Sequence, residues 1–378
     1  MITSETPEQE ELRYLASLIK VKPENENIHV TPPAKPATLN DDNMIERLDH
    51  HGVSMLMLKA GCLSESVAEQ LKPRKALMAA NSALKAATLV KVFNRLKKAG
   101  LGQCILFKGT ALAHAYYPDP WLRPSTDSDC LIAPHDRLKF DKAFQKLKFK
   151  KLFAIEGELL SYQSTYSRVL SGDVALNIDL HWRINNRQTL AKSFSLSELS
   201  ERGTSVASLN HAVLIPSAVD SILLACIHRI GHHANDERLI WLYDIHLLSS
   251  QLNDDEWEEL CLLCEDKNLA AITLDALRTC EDLLGTQIPT SALETLKQLS
   301  RRKEPSKLFL QRQFSEWQVF KQDIKALPGI QLKLQLIAEH LFPESDYIRE
   351  QMGTDNLAKG YLLRFWRGVK RLITKPNQ

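Results

Sequence analysis

The sequence predicts an α+β protein, a small mixed β-sheet set between two helical regions. Three observations carry this. Apolar residues recur at helical spacing up to about residue 98 and again after Pro216. Between them, residues 103–182 hold short apolar runs bounded by glycine, proline and aspartate, which is strand texture. Ser171, Gly172 and Asp173 separate two of these runs with hairpin chemistry. The division that follows is a helical region over 1–102 with a proline-rich loop at 22–40, an α/β core over 103–215, and a helical region over 216–378.

In chain order, a first helix is expected near 8–19, before the proline-rich surface loop. Helical spacing resumes over 41–58. A longer helix over 75–98 carries Leu77, Ala80, Leu84, Ala87, Leu89, Val92 and Leu96 on one stripe and ends at Gly100 and Gly102. Strands are expected at 103–109, 129–133, 149–155, 162–170 and 174–181. A short helix at 110–117 is stopped by Pro118 and Pro120, and another at 137–147 follows Pro134. Helices at 217–232, 236–249, 255–266 and 269–284 follow, with less regular ones to 373.

A chain of 378 residues is long enough for two or three compact units. Its 44% hydrophobic and 25% charged residues exclude wholesale disorder. With 48 basic and 46 acidic residues, the net charge of +2 does not mark a dedicated nucleic-acid binder. No run is read as the roughly 18–20 apolar residues of a membrane span. The polar, acidic start is unlike a signal peptide, so a cytoplasmic chain without a transmembrane segment is expected. Seven cysteines in such a chain do not suggest a disulfide framework. Cys261 and Cys264 form one CxxC on a helical pattern, which reads as core packing rather than a metal or redox pair.

The catalytic-looking residues concentrate in the α/β core. Phe107-Lys108-Gly109-Thr110 runs a strand into a glycine and a hydroxyl at a helix start. Gly109 permits close backbone approach to a phosphate, and helix-start amides favour anions. Asp127 and Asp129 stand two apart at the mouth of an apolar strand, so both point to one face. Adjacent carboxylates repel, and a divalent cation relieves the repulsion; Mg²⁺ or Mn²⁺ suits such a phosphate site. Asp179 lies on a later strand and could complete a two-metal site. Lys108 and Arg123 could offset triphosphate charge, and Arg123 could equally bridge its proline-rich loop to the aspartates. His181 could orient Asp179 or a metal-bound water.

The stretch LFKGTALAHAYYPDPWLRPSTDSDCLIAP, with NIDLHWRI downstream, resembles an uncharacterised nucleotidyltransferase family of the polymerase-beta-like superfamily. Lys108, Gly109, Ala111, Leu112, Tyr117, Pro118, Pro120, Arg123, Pro124, Asp127, Asp129, Asp179, His181 and Trp182 carry the resemblance. His228, Arg238, Trp241 and Asp244 match its helical motif, and LFPESDYIREQMG and YLLRFWRGV are similar to its C-terminal end. The resemblance spans about residues 45–370. Ser128 departs from it, standing where a hydrophobic residue is usual between the aspartates. So does the 16-residue gap from Thr110 to Asp127, longer than in many superfamily members. The resemblance implies a polymerase-beta-like nucleotidyltransferase core and no particular substrate.

The implied activity is metal-dependent transfer of a nucleoside monophosphate from an NTP to an acceptor hydroxyl, releasing pyrophosphate. Asp127, Asp129 and Asp179 would hold metal and act in catalysis. Lys108, Gly109, Thr110 and Arg123 would hold the nucleotide. His181, His228, Arg238 and Asp244 would support the site or line an acceptor pocket. The acceptor could be a sugar, a metabolite, a protein or an RNA. Two other readings stay open: a non-catalytic nucleotide-binding or regulatory protein with the same fold, and a toxin-like nucleotidyltransferase acting on tRNA or a partner protein. His228, His232 and His233 could line the substrate cleft or mimic a metal pair. Arg238 and Asp244 could tie helix to helix. Finally, residues 356–378 carry six basic residues and no acidic one. Leu362, Phe365 and Trp366 are expected to pack inward there, the alternative being contact with RNA or an anionic membrane.

Overall fold

The computed structural model describes residues 6–20, 34–152, 157–231, 237–311, 316–343 and 345–373. Its strands are β1 (Cys104–Phe107), β2 (Ser128–Ile132), β3 (Lys150–Lys151), β4 (Gln163–Ser171), β5 (Val174–His181), β6 (Thr204–Ser205) and β7 (Leu214–Ile215). They form one mixed sheet in the order β3-β4-β5-β2-β1-β7-β6. β2 runs antiparallel to β1 and parallel to β5. The expected strand at 149–155 shrinks to β3, and part of it lies outside the described residues.

The helices are α1 (Pro7–Lys20), α2 (Asp41–His50), α3 (Ser54–Ala60), α4 (Glu65–Lys98), α5 (Lys108–Ala115), α6 (Arg137–Lys146), α7 (Leu196–Glu201) and α8 (Ala218–Gly231). Then come α9 (Leu239–Ser249), α10 (Asp254–Lys267), α11 (Ala270–Leu284), α12 (Thr290–Ser300), α13 (Glu316–Ala326), α14 (Gly329–Leu341), α15 (Ser345–Met352) and α16 (Leu357–Ile373). The expected helix over 41–58 is split at Gly52, whose φ of 71° suits glycine and turns the chain between α2 and α3.

Side chains alternate across a strand, and here alternation assigns each face a core. Cys104, Leu106, Cys130, Ile132, Leu176, Ile178 and Leu180 enter one core with Phe140, Phe144 and the end of α4. Ile105, Phe107 and Leu131 enter the other, which holds α1–α3 and α8–α12 together. Asp129, Asp179 and His181 alternate with the first set, so they point from the sheet toward the helical side.

α4 begins ten residues before the expected position. Ser64 caps it by accepting from the Val67 amide, and it continues through Pro73, which removes one helical hydrogen bond. Val67 and Leu71 lie in one core and Leu89, Val92, Phe93 and Leu96 in the other, so the helix bridges both. The first half of the expected stripe faces outward, with Leu77 62% exposed. Among the described residues α4 is also the one helix whose length and composition alone would suffice to cross a membrane.

α16 does not pack as expected. Among its described side-chain positions Gly360 is the buried one, set against Ile348 of α15 where a Cβ would collide. Arg364 donates to the His340 carbonyl at 3.2 Å and Arg367 to the Gln351 carbonyl at 3.4 Å. Leu362, Phe365 and Trp366 are 56%, 55% and 60% exposed. At 100° per residue they occupy the face opposite Gly360, Arg364 and Arg367. Among its described side chains, the close approach at Gly360 and the arginine bonds to backbone carbonyls seat this helix.

Candidate active site

Register builds the site. Parallel pairing sets Asp129 of β2 directly opposite Asp179 of β5, and Leu131 opposite His181. One ligand atom each from Asp129, Asp179 and His181 lies within 4.8 Å of the others, and all three residues are buried. Lys108 Nζ donates to Asp129 Oδ1 at 2.6 Å, and His181 Nε2 lies 2.8 Å from the same oxygen. On the other carboxylate, Thr165 Oγ1 donates to Asp179 Oδ1 at 2.6 Å and Gln163 Nε2 to Oδ2 at 3.0 Å. Asp127 stands just before β2 and is half-buried. Its carbonyl accepts from Ser125 Oγ at 2.5 Å and Thr110 Oγ1 at 2.9 Å, which pins the turn that aims its side chain.

The two aspartates of the Asp-Ser-Asp turn differ electrostatically. Burial, then the Asp129 and Asp179 carboxylates, push Asp127 up to about 6. Burial pulls Asp129 the same way. Lys108 and His181 outweigh it and hold that carboxyl well below the usual carboxylate range. Burial, then the Lys108 ammonium, lowers His181 against the opposing pull of Asp129 and Asp179.

Local backbone explains Lys108 and Gly109. Lys108 opens α5 with φ 57°, the left-handed region that a lysine rarely adopts. The turn carries its ammonium across the Phe107 ring, 4.9 Å from the centroid, and onto Asp129. At Gly109 a Cβ would stand 2.5 Å from Arg123 Nη1 and 3.3 Å from Ser125 Oγ. Glycine is therefore required here by the close passage of an arginine. Thr110 hydrogen-bonds the Asp127 carbonyl and neighbours Ser128 Oγ at 3.1 Å, so its hydroxyl is engaged in the turn.

Arg123 bridges the sheet to the helices. Its Nη2 and Nε donate to the two oxygens of Asp244 at 2.7 and 3.3 Å, and Nη1 donates to the Pro124 carbonyl at 3.0 Å. Tyr117 OH donates to Asp244 Oδ1 at 2.6 Å. The salt bridge expected between Arg123 and the aspartates is thus made to Asp244, and the expected Arg238–Asp244 tie is absent among the described contacts. Arg238 stands at the N-cap position of α9 without a capping side-chain bond and lies over the Trp241 ring at 5.6 Å, with no carboxylate partner among the described residues. His228 packs edge-on against the same ring at 5.5 Å. His232 and His233 lie outside the described residues. Cys261 and Cys264 are buried in the helical core, as their spacing suggested.

A cavity of about 490 Å³ gathers most of these groups. Lys108, Gly109, Arg123, Asp127, Asp129 and Asp179 line its sheet side, and His228, Arg238, Trp241 and Asp244 its helical side. Thr110 and His181 are not part of this lining, and Thr110 instead lines a neighbouring cavity of about 200 Å³. Gln163 and Thr165, the residues holding Asp179, escaped the sequence reading. Their signal was two polar residues spaced by two on a strand opposite Asp179.

A nucleotidyltransferase core follows from this sheet and its paired aspartates. A family described as uncharacterised nucleotidyltransferase matches residues 40–285, about two thirds of the chain. The chain belongs to that family. The match ends at Gly285, short of the C-terminal segments whose resemblance is noted above. No curated protein matches the chain.

Proposed function

We propose that the protein transfers a nucleoside monophosphate from a nucleoside triphosphate to an acceptor hydroxyl. The reading rests on one observation above others, the in-register pairing of Asp129 and Asp179 at the wall of a cavity that is also lined by Arg238, which has no carboxylate partner among the described residues. Three carboxylates facing one lysine form a hard oxygen donor set with excess negative charge, which fits Mg²⁺ or Mn²⁺. Asp127, Asp129 and Asp179 would hold the cation, which when bound neutralises phosphate oxygens and the departing pyrophosphate.

The chain's own groups do the rest. Arg238, uncommitted to any described carboxylate, takes the triphosphate charge that Arg123 cannot take while its fork is closed on Asp244. Lys108 shares its ammonium between Asp129 and the phosphates. Asp179, fixed by Thr165 and Gln163, accepts the acceptor proton as that oxygen attacks the α-phosphorus and the bond to the bridging oxygen breaks. His181 positions Asp129. The wall from α8 and α9 faces the acceptor, whether sugar, metabolite, protein or RNA.

The test uses each of four α-labelled NTPs with Mg²⁺ or Mn²⁺ and cell extract as acceptor source. Label should pass to an extract component with one nucleotide preferred, and Asp129→Asn should abolish it. Equal labelling by Asp129→Asn would remove the proposal. A mass shift of the labelled product identifies the acceptor class.

A further inference from the structure

We infer that α16 is a peripheral docking element for an anionic membrane surface, a property separate from nucleotidyl transfer. The helix is seated through its glycine and arginine face and turns its apolar face to solvent. Leu362, Phe365 and Trp366 are all more than half exposed on that side. This reverses the usual amphipathic arrangement, in which the apolar stripe faces the core. The outward face continues at one rim. Phe342, 67% exposed, packs edge-on against Tyr361 at 6.0 Å, beside the half-exposed Leu341. Contiguous apolar surface of this kind marks an interaction site.

Charge selects the occupant. No acidic residue follows Asp355, while Lys359, Arg364, Arg367, Lys370, Arg371 and Lys375 do. Leu362, Phe365 and Trp366 on the outward face, with Lys359 beside Trp366, form the pattern of a helix lying in a lipid headgroup layer, while Arg364 and Arg367 stay on the seated face. A second copy of the chain fits less well, because a two-fold contact would bring the same basic residues together. RNA accounts for the basic residues and leaves the aliphatic Leu362 and Leu341 without a role.

Sedimentation of the full chain with lipid vesicles tests this. One set is phosphatidylcholine with about a third phosphatidylglycerol, and the other phosphatidylcholine alone. The wild type should sediment with the anionic vesicles, at least tenfold more tightly than with neutral ones. Leu362→Ser/Phe365→Ser should lose at least tenfold on the anionic set while keeping its melting temperature, since both side chains are already exposed. Should that pair misfold, Lys359→Glu serves instead, with a loss confined to the anionic set. Failure of the wild type to sediment with anionic vesicles overturns the inference. So does undiminished sedimentation by the folded variants. Self-association abolished by Leu362→Ser/Phe365→Ser without vesicle binding would assign the face to a second copy. Binding of a single-stranded oligoribonucleotide without vesicle binding would assign it to RNA, and both of these outcomes also refute the membrane.

Discussion

Asp127→Asn and Asp129→Asn should move the stability of the metal-free protein in opposite directions. The native Asp127 carboxyl sits at about 6, against an ordinary value of 3.8. A raised acid binds more protons folded than unfolded, so above its native value the ionised group costs stability. About two units correspond to roughly 3 kcal/mol, which the partial exposure of Asp127 reduces to about 1–2 kcal/mol. Asp127→Asn removes that cost. In EDTA at pH 7.5 its melting temperature should rise by roughly 2–4 °C. The gain should shrink to about a third at pH 4.5 and vanish at lower pH, where the wild-type carboxyl is protonated in both states.

Asp129 is depressed, so its contribution is present above the unfolded value and lost only in strong acid. Asp129→Asn leaves the buried Lys108 ammonium without its counter-charge and should cost about 3 kcal/mol at pH 7.5. Differential scanning fluorimetry across pH, with EDTA and then with Mg²⁺ or Mn²⁺, reads both effects. Divalent cation should stabilise the wild type and neither variant. A fall in melting temperature for Asp127→Asn in EDTA, or a rise for Asp129→Asn, would refute the electrostatic reasoning.

Further outcomes follow from the same contacts. Arg238→Gln should melt within about 1 °C of wild type and weaken metal-dependent NTP binding at least tenfold, about 1.4 kcal/mol, by equilibrium dialysis; unchanged affinity would remove Arg238 from the nucleotide site. Gly109→Ala forces the Arg123 guanidinium aside and should cost about 1–3 kcal/mol in urea unfolding; a neutral result would show that the passage is loose. Asp244→Ala should cost about 3–5 kcal/mol by stranding Arg123, and Tyr117→Phe about 1 kcal/mol; similar values for the two would contradict the Arg123 pairing.

The hairpin was legible because Val174–His181 is an apolar run closed by a turn of unmistakable composition. Period two predicted that Asp127 and Asp129 share a strand face, but β2 begins at Ser128, so Asp129 alone of the two pairs in register with Asp179. The partners of Asp179 were not legible. A bulge between Val169 and Ser171 shifts the register by one residue. Counting straight from the turn puts Tyr166 opposite Asp179, whereas the bulge puts Thr165 there and reverses the faces. The start of α4 was hidden by Pro73, whose cost the helix bears because both ends are anchored in cores. The partner of Asp244 lies 121 residues away, at Arg123. Its nearer candidate, Arg238, sits six residues before it, a spacing that puts the two on different sides of a helix. Strands β6 and β7, of two residues each, carry too little pattern to read.

The Arg123–Asp244 fork has a kinetic consequence. It joins the two walls of the cavity by a buried, doubly hydrogen-bonded ion pair, with Tyr117 as a third strut. Swinging the walls apart would have to break both arms of that pair and the Tyr117 bond together, so the walls move as one unit. Access to the cavity must then rely on side-chain movements at its mouth rather than on hinge opening. Loosening the fork would let the two walls move independently and would trade durability for ease of access to the cavity.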